Sequence, residues 1–215
     1  MNWQRARTDE TKHQRREAIT QAAFTLFKQN GYDGVSFNNI AAEAGFTKSN
    51  MYRYFSSKDE IFLSIFAELF NDWFTDCMTS LKTLTTNAEP ETFASHWVNT
   101  LVAHPRFLDL TPLMFTSLEK NSAYDQLLEF KRLSMALLFQ LAEEITRIYP
   151  KIAGEKAFKF LTLSYADTAN SWAAGSHNEA LLKIYQLEEF QALRPDFKRD
   201  LTSSIEVIIK GLTAD

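Results

Sequence analysis

One segment of this chain, residues 36–60, constrains the fold more than any other: it reads SFNNIAAEAGFTKSNMYRYFSSKDE. Four residues recur at the i, i+3, i+4 and i+7 positions of one helix face, which predicts a short amphipathic helix: Phe37, Ile40, Ala41 and Ala44. Ser36 is its candidate N-cap, because a serine hydroxyl can accept a free backbone N–H. Gly45 follows, where the end of a helix favours a residue that tolerates positive φ.

A second short helix is predicted after this turn. Met51 and Phe55 are four residues apart and can anchor it on the first helix. The other side chains are nearly all hydrogen-bond donors, namely Thr47, Lys48, Ser49, Asn50, Tyr52, Arg53 and Tyr54. Two short helices joined by a glycine turn, with a donor-rich second helix, are typical of a helix-turn-helix DNA reader. Ser57 and Glu60 then form a candidate capping box that starts a further helix, with Lys58 in its first turn.

The segment GFTKSNMYRYFSSKDEIF resembles the recognition helix and the following helix start of the tetracycline-repressor (TetR) family of bacterial regulators. The resemblance continues upstream through REAITQAAFTLFKQNGYDGVSFNNIAAEAG. It implies a DNA-binding head and a helical C-terminal domain that binds an effector and forms dimers. In relatives, the last two long helices pair with their twofold mates, and residues 154–175 and 195–212 correspond to them here.

Eleven residues are predicted to bind DNA. Those suited to base edges are Lys48, Asn50 and Arg53, since Lys or Arg favours guanine and Asn favours adenine. Those suited to phosphates are Thr47, Tyr52, Tyr54 and Lys58. The set is completed by Ser36, Asn38, Asn39 and Ser49. Each has an ordinary alternative, because a tyrosine beside an apolar stripe can be partly core and an exposed lysine is usually solvated.

Charge divides the chain in the same place as the motifs. Residues 1–58 carry nine Lys or Arg against five acidic residues, and residues 59–215 carry 14 against 22. A basic head of net charge +4 on an acidic body of −8 is compatible with phosphate contact at one end. The sequence therefore predicts a helix-turn-helix domain over residues 1–58 and a helical effector-binding and dimerisation domain over residues 59–215.

The whole chain reads as helical. An apolar stripe over residues 11–30 predicts a first helix that ends at Asn30 and Gly31. Arg5 and Arg7 precede it in a polar segment that forms either an arm along a DNA groove or a solvated tail. After Lys58 a long fourth helix is apolar around much of its surface, and further helices are predicted over 90–103, 122–149, 154–175 and 195–212. The predicted fold is all-α.

The body is rich in aromatic residues, and bulky rings rarely tile without gaps. An aromatic-lined pocket for an apolar or amphipathic small molecule is therefore predicted. Its candidate residues are Phe66, Phe70, Trp73, Trp97, Phe107, Met114, Phe115, Phe130, Leu133, Tyr165, Asp167, Asn170 and Trp172. Asp167 and Asn170 would supply the polar end. The alternatives are ordinary core packing for the rings and solvated or dimer-interface positions for these two polar residues.

Other classes of protein are disfavoured. Cys77 is the single cysteine, which excludes an intramolecular disulfide and a thiolate metal cluster. We see no metal-ligand spacing, cofactor loop or catalytic constellation, so no metal, cofactor or enzymatic activity is expected. The N-terminus lacks a signal peptide and no stretch approaches a membrane span, which predicts a cytoplasmic protein without membrane contact.

The predicted function is a ligand-responsive transcriptional repressor. A homodimer would bind a palindromic operator in double-stranded DNA, because one short helix contacts few base pairs and two heads combine their affinities. A small-molecule effector in the body would shift the fourth helix and release the DNA. Two alternatives remain: a regulator controlled by a protein partner, and an enzyme or carrier with a vestigial head.

Overall fold

A computed structural model describes residues 2–175 and 179–214, and describes side chains from residue 11 onwards in those ranges. These residues form helices and no strand. The α-helices are α1 (Asn2–Asn30), α2 (Phe37–Glu43), α3 (Lys48–Met51), α4 (Lys58–Leu81), α5 (Pro90–Ala103), α6 (Pro105–Leu110), α7 (Tyr124–Ile148), α8 (Glu155–Gly175), α9 (Glu179–Ile184) and α10 (Phe197–Thr213). The all-α prediction is confirmed.

Shorter helices of other types fill the connections. A 3₁₀ turn over Thr111–Leu113 leads into a π-helix over Met114–Leu118, and a second 3₁₀ helix covers Glu188–Leu193. No sequence pattern predicts this π-helix. Such single-turn π-helices depend on local insertion and packing more than on hydrophobic period.

Helix α1 begins earlier than the apolar stripe indicates. The predicted stripe is buried through Ile19, Ala23 and Phe27, and Gly31 ends the helix with a φ of 68°. Upstream, the helix extends to Asn2, so the backbones of Arg5 and Arg7 are helical. Their side chains, and with them the predicted groove arm, lie outside the described residues.

The chain forms two compact units. The first comprises Met1–Leu69 and Leu113–Leu133, and the second comprises Phe70–Pro112 and Ser134–Asp215. The first unit therefore adds residues 59–69 and 113–133 to the segment predicted as the head, and the functional boundary at residue 58 stays a prediction. None of the helices in the described ranges combines the length and the hydrophobicity of a membrane-spanning segment.

The core of each unit comes from the predicted apolar faces. In the first unit α4 buries Ile61, Phe62 and Leu63, which are at most 2% exposed. Since consecutive helical residues point about 100° apart, these three span more than one side of the helix, and the expectation of burial on more than one side is confirmed. In the second unit, α5 packs against α10, and α10 packs against α8.

Candidate nucleic-acid interface

Helix α2 is started by a reciprocal cap at its first turn. The Asn39 backbone N–H donates to Ser36 Oγ at 3.2 Å, and the Ser36 N–H donates to Asn39 Oδ1 at 2.7 Å. Asn39 Nδ2 also donates to the Gly34 carbonyl at 3.3 Å. The Ser36 and Asn39 side chains, both predicted to bind DNA, are thus engaged in positioning α2, whereas Asn38 is exposed.

The turn between α2 and α3 has the geometry of a Schellman motif. Gly45 has a φ of 72°, so the positive φ predicted for it is confirmed. The Gly45 N–H donates to the Ala42 carbonyl at 3.2 Å, and the Phe46 N–H donates to the Ala41 carbonyl at 2.8 Å. These bonds satisfy carbonyls that the end of a helix leaves free.

Helix α3 is short and is fixed at both ends. Thr47 is its N-cap, and its Oγ1 accepts the Asn50 N–H at 3.3 Å. Met51 and Phe55 are at most 1% exposed, so the predicted i, i+4 anchor pair is buried. The threonine hydroxyl predicted to contact phosphate therefore caps the helix that would present it.

The predicted base-reading residues are exposed on α3 and on the turn that follows it. Exposed side chains are those of Lys48, Ser49, Asn50, Tyr52 and Arg53. The Tyr52 ring is 56% exposed, with its centroid 5.0 Å from that of Phe37. We define these five residues as the reading face. Its amide, ammonium, guanidinium and hydroxyl groups are those that bind base edges and phosphates.

Tyr54 is tied to helix α1. Its hydroxyl accepts a hydrogen bond from Arg15 Nη1 at 3.1 Å, and its backbone carbonyl accepts one from Arg16 Nη1 at 2.5 Å. Its ring meets Phe46 edge-on, at 6.0 Å between centroids. Sequence reasoning missed Arg15 and Arg16. Their signal was a pair of basic residues just before the apolar stripe of α1.

Lys58 packs on Tyr32. Its Nζ donates to the Tyr32 carbonyl at 3.1 Å and lies 3.8 Å from the ring centroid, within the range of a cation–π contact. Burial lowers the pKa of the Lys58 ammonium below its usual value, with Asp59 and Asp33 opposing that shift. The side chain expected to point at phosphate therefore has partners within the protein.

The cap of α4 differs from the predicted capping box in one bond. The Glu60 N–H donates to Ser57 Oγ at 3.0 Å, as expected for an N-cap serine. The Glu60 carboxylate, however, accepts the Ser56 N–H at 2.6 Å and the Ser56 hydroxyl. The reciprocal half predicted for Ser57 is therefore wrong: the carboxylate reaches one residue further back and satisfies two Ser56 donors.

The predicted effector-pocket residues are distributed over both units. In the first unit Phe66 and Phe130 meet edge-on, with 5.9 Å between ring centroids, and Phe115 is 63% exposed. Phe130 and Leu133 line a cleft of about 380 Å³ between α1, α4 and α7. Met114 is buried in the π-helix.

In the second unit, the rings form a packed cluster. The Phe70, Trp73 and Phe107 rings stack at 5.4 to 5.9 Å, and Trp97 meets Trp73 edge-on at 5.4 Å. Tyr165 Oη donates to the Thr111 carbonyl at 2.7 Å. Trp172 Nε1 donates to Asp109 at 3.1 Å. These contacts are those of ordinary core packing, which was the alternative interpretation of the rings. A ligand pocket stays a prediction.

Asp167 and Asn170 lie apart from that cluster. They line an open groove along α8 and α10, together with Leu163, Ala166, Ser203, Ser204, Val207 and Ile208. Among the described residues, one carboxylate oxygen of Asp167 is buried without a hydrogen-bond partner. The groove supports the dimer-interface alternative for these two residues more than a role at the polar end of an aromatic pocket.

Comparison with known protein families accounts for nearly the whole chain. Residues 19–65 match the family described as bacterial regulatory proteins, tetR family. Residues 67–215 match the tetracyclin repressor-like C-terminal domain.

Curated relatives match a short stretch of the chain. The HTH-type transcriptional regulator YfiR of Bacillus subtilis is 38% identical over 58 residues, which are 27% of this chain and 28% of YfiR. RutR of Escherichia coli K12 is 32% identical over 59 residues, again 27% of this chain and 28% of RutR. The match thus spans about a quarter of each relative.

Solved structures resemble the fold along most of the chain. Thermus thermophilus FadR, a TetR family transcriptional repressor solved with lauroyl-CoA, has a TM-score of 0.54 at 18% identity and covers 92% of both chains. A regulator from Pseudomonas aeruginosa PAO1 has a TM-score of 0.55 at 17% identity, covering 94% of this chain and 91% of the other. With two family models covering head and body, this chain belongs to the tetR family of bacterial transcriptional regulators.

Proposed function

We propose that this protein is a sequence-specific DNA-binding repressor that a small molecule releases from a palindromic operator. The observation that carries the proposal is the reading face: five exposed polar side chains on α3 and the turn that follows it, capped by Thr47 and anchored by Met51 and Phe55. Rigid presentation of such donors is what base readout requires, since a bidentate contact needs a fixed side-chain position.

A homodimer is part of the proposal. The α8 and α10 groove presents apolar side chains to solvent, including Leu163 and Val207, the latter 65% exposed. Exposed apolar side chains along a helix pair favour a helical partner, and a second copy of the same pair would form a four-helix bundle. Two heads would then read half-sites about 34 Å apart, one turn of the duplex.

The experiment that tests DNA reading is selection of bound sequences from a random duplex library at near-physiological salt. We expect the natural protein to enrich a palindrome. With Arg53→Ala, the base preference should be lost at one base pair of each half-site. A folded dimer that enriches no sequence would contradict the proposal. The salt concentration is held fixed, because phosphate contacts make affinity strongly salt-dependent.

The effector we propose is apolar or amphipathic, which matches the aromatic composition of the body. The Thermus FadR structure contains lauroyl-CoA, so acyl thioesters belong in the first screen along with free aromatic and alkyl compounds. An effector must bind the DNA-competent and DNA-incompetent states unequally. We expect a compound that raises the melting temperature to lower operator affinity, and unchanged affinity at saturation would contradict control by that ligand.

Control by a protein partner is the second candidate. The segment between α8 and α10 exposes four large apolar side chains: Leu182, Ile184, Leu187 and Leu193. An exposed apolar patch of this kind is a feature of protein interfaces, and the stacked rings of the second unit are compatible with a filled core. Substituting Leu187 and Leu193 by serine would abolish partner control and leave ligand control intact, so this pair of changes separates the two candidates.

A further inference from the structure

Arg16 connects two helices that are far apart in sequence within the first unit. From α1, its Nη1 donates to the Tyr54 carbonyl at 2.5 Å, and its Nη2 donates to Gln126 Oε1 in α7 at 2.7 Å. Its Cζ lies 4.1 Å from the Phe55 ring centroid. One guanidinium thus bonds the residue that follows the reading face and a residue near the start of α7.

The environment of Arg16 holds it in this position. The guanidinium is half-buried, and burial lowers its pKa, with Glu60 and Glu129 opposing that shift. A partly buried cation needs its acceptors, because an unsatisfied charged donor carries the full cost of desolvation. Planar N–H groups also fix the directions of both acceptors. The position of Tyr54 is therefore coupled to that of Gln126.

Two further hydrogen bonds join the residues just before α7 to the start of α4. Ser57 Oγ donates to the Asn121 carbonyl at 2.9 Å, and Ser117 Oγ donates to Asp59 at 2.8 Å. Residues 117–126 therefore contact α1 and the start of α4. Helix α7 then continues without interruption from the first unit, which ends at Leu133, to Ile148 in the second.

We propose that Arg16 is a positioning residue for operator recognition, and that its bond to Gln126 makes the orientation of α3 depend on the position of α7. The proposal rests on the proposed DNA-reading function. Hydrogen bonds weaken steeply with misalignment, so a shift of about 1 Å in α7 either breaks this bond or moves the Tyr54 carbonyl with it. Small displacements of a long helix would thereby reach the reading face.

The test compares Gln126→Leu with Gln126→Glu, and uses Gln140→Leu as the matched control. The Leu variant removes the acceptor, whereas the Glu variant keeps an acceptor for the same N–H. Gln140 lies on the exposed side of the same helix and donates to the Ala136 carbonyl of that helix at 3.3 Å. Affinity is measured by anisotropy for the selected operator duplex and for a scrambled duplex.

We expect Gln126→Leu to weaken operator binding about tenfold, the size expected for losing one hydrogen bond to a charged group, and to leave scrambled-duplex binding unchanged. Gln126→Glu and Gln140→Leu should stay within about twofold of the natural protein. A contact that only stabilised the fold would change both duplex affinities together, and that result would overturn the proposal.

Hydrogen exchange provides the second readout. By reciprocity, operator binding should slow amide exchange in residues 134–148, and Gln126→Leu should remove this effect while Gln140→Leu retains it. Equal operator affinity and equal amide exchange in all variants would contradict the positioning role of Arg16 but not the proposed DNA-binding function. A natural protein that selects no duplex would instead contradict the proposed function.

Discussion

The side chains of the reading face are exposed to solvent, whereas those of the aromatic cluster of the second unit are packed in its core. Helix α3 buries Met51 alone among its four residues and leaves its donors in solvent. Helix α5 buries six of its 14 residues, including Phe93 and Trp97, in contact with other rings. Substitutions on the reading face should therefore change DNA affinity and leave the free energy of unfolding unchanged. Substitutions in the cluster should mainly lower the free energy of unfolding.

The largest effect is expected from Phe93→Ala. Phe93 is fully buried and its ring lies 5.4 to 6.0 Å from those of Tyr149, Phe160 and Trp97. Truncation should lower the free energy of unfolding by about 3–5 kcal/mol through lost burial and a cavity. Urea unfolding followed by tryptophan fluorescence measures it. Phe115→Ala, at a 63% exposed ring, is the control, and an equal loss there would break the comparison.

On the reading face, Arg53→Ala should weaken operator binding by about 1–3 kcal/mol and relax preference at one base pair. Thermal stability should be unchanged, because the Arg53 side chain is exposed. Lys58→Ala sharpens this prediction: if its ammonium contacts phosphate as well as the Tyr32 carbonyl, its loss should weaken binding to all sequences and reduce the salt slope by about one. Full operator affinity in both variants would rule out the docking proposed for α3.

A smaller effect is expected at the turn that joins α2 to α3. Gly45→Ala places a Cβ at a φ of 72° and should destabilise the first unit by about 1–2 kcal/mol, although nothing lies within 4 Å of that Cβ. Gly211→Ala, in α10 and also with open space around it, should be neutral or slightly stabilising. Thermal melts of the two variants give the comparison, and equal shifts would mean that backbone strain at Gly45 is unimportant.

Ionisation of the Cys77 thiol should not affect the stability of the protein at neutral pH. Burial raises the pKa of its thiol to about 12 from an ordinary 9.0. The thiol pKa is higher in the folded state than in the unfolded chain. Its contribution to stability is therefore fully present below about pH 9 and is lost as the pH rises towards 12. The folded protein should resist thiol reagents at pH 8 and react in urea. Stoichiometric labelling of the folded protein would show that Cys77 is accessible.

Periodicity and turn chemistry predicted the helices well, because both act over a few residues. The stripe ending at Phe27, the positive φ of Gly45 and the Pro90 start of α5 follow from such local rules. Arg16 could not be assigned in this way, since its partner Gln126 is 110 residues away. Asn39 is predicted as a phosphate or base contact from its place at the start of α2, and this stays a prediction, while the structure adds that its amide caps the helix.

The pocket could not be derived for a different reason. Aromatic residues such as Phe70 and Trp73 were correctly expected in the interior, and they are at most 7% exposed. Whether rings stack closely or leave a cavity depends on side-chain orientations that composition does not determine. Phe115 was assigned to the interior with them, yet it faces solvent from the π-helix.

The membership of residues 113–133 in the first unit has a practical consequence for chimeric regulators. A head exchanged by a single cut at residue 58 would carry Arg16 and Ser57 into a protein that lacks Gln126 and Asn121. We expect such a hybrid to bind its operator about tenfold more weakly, as expected for Gln126→Leu, and not to respond to the ligand of its new body. Transplanting residues 59–69 and 113–133 along with the head would be required to transfer a working sensor.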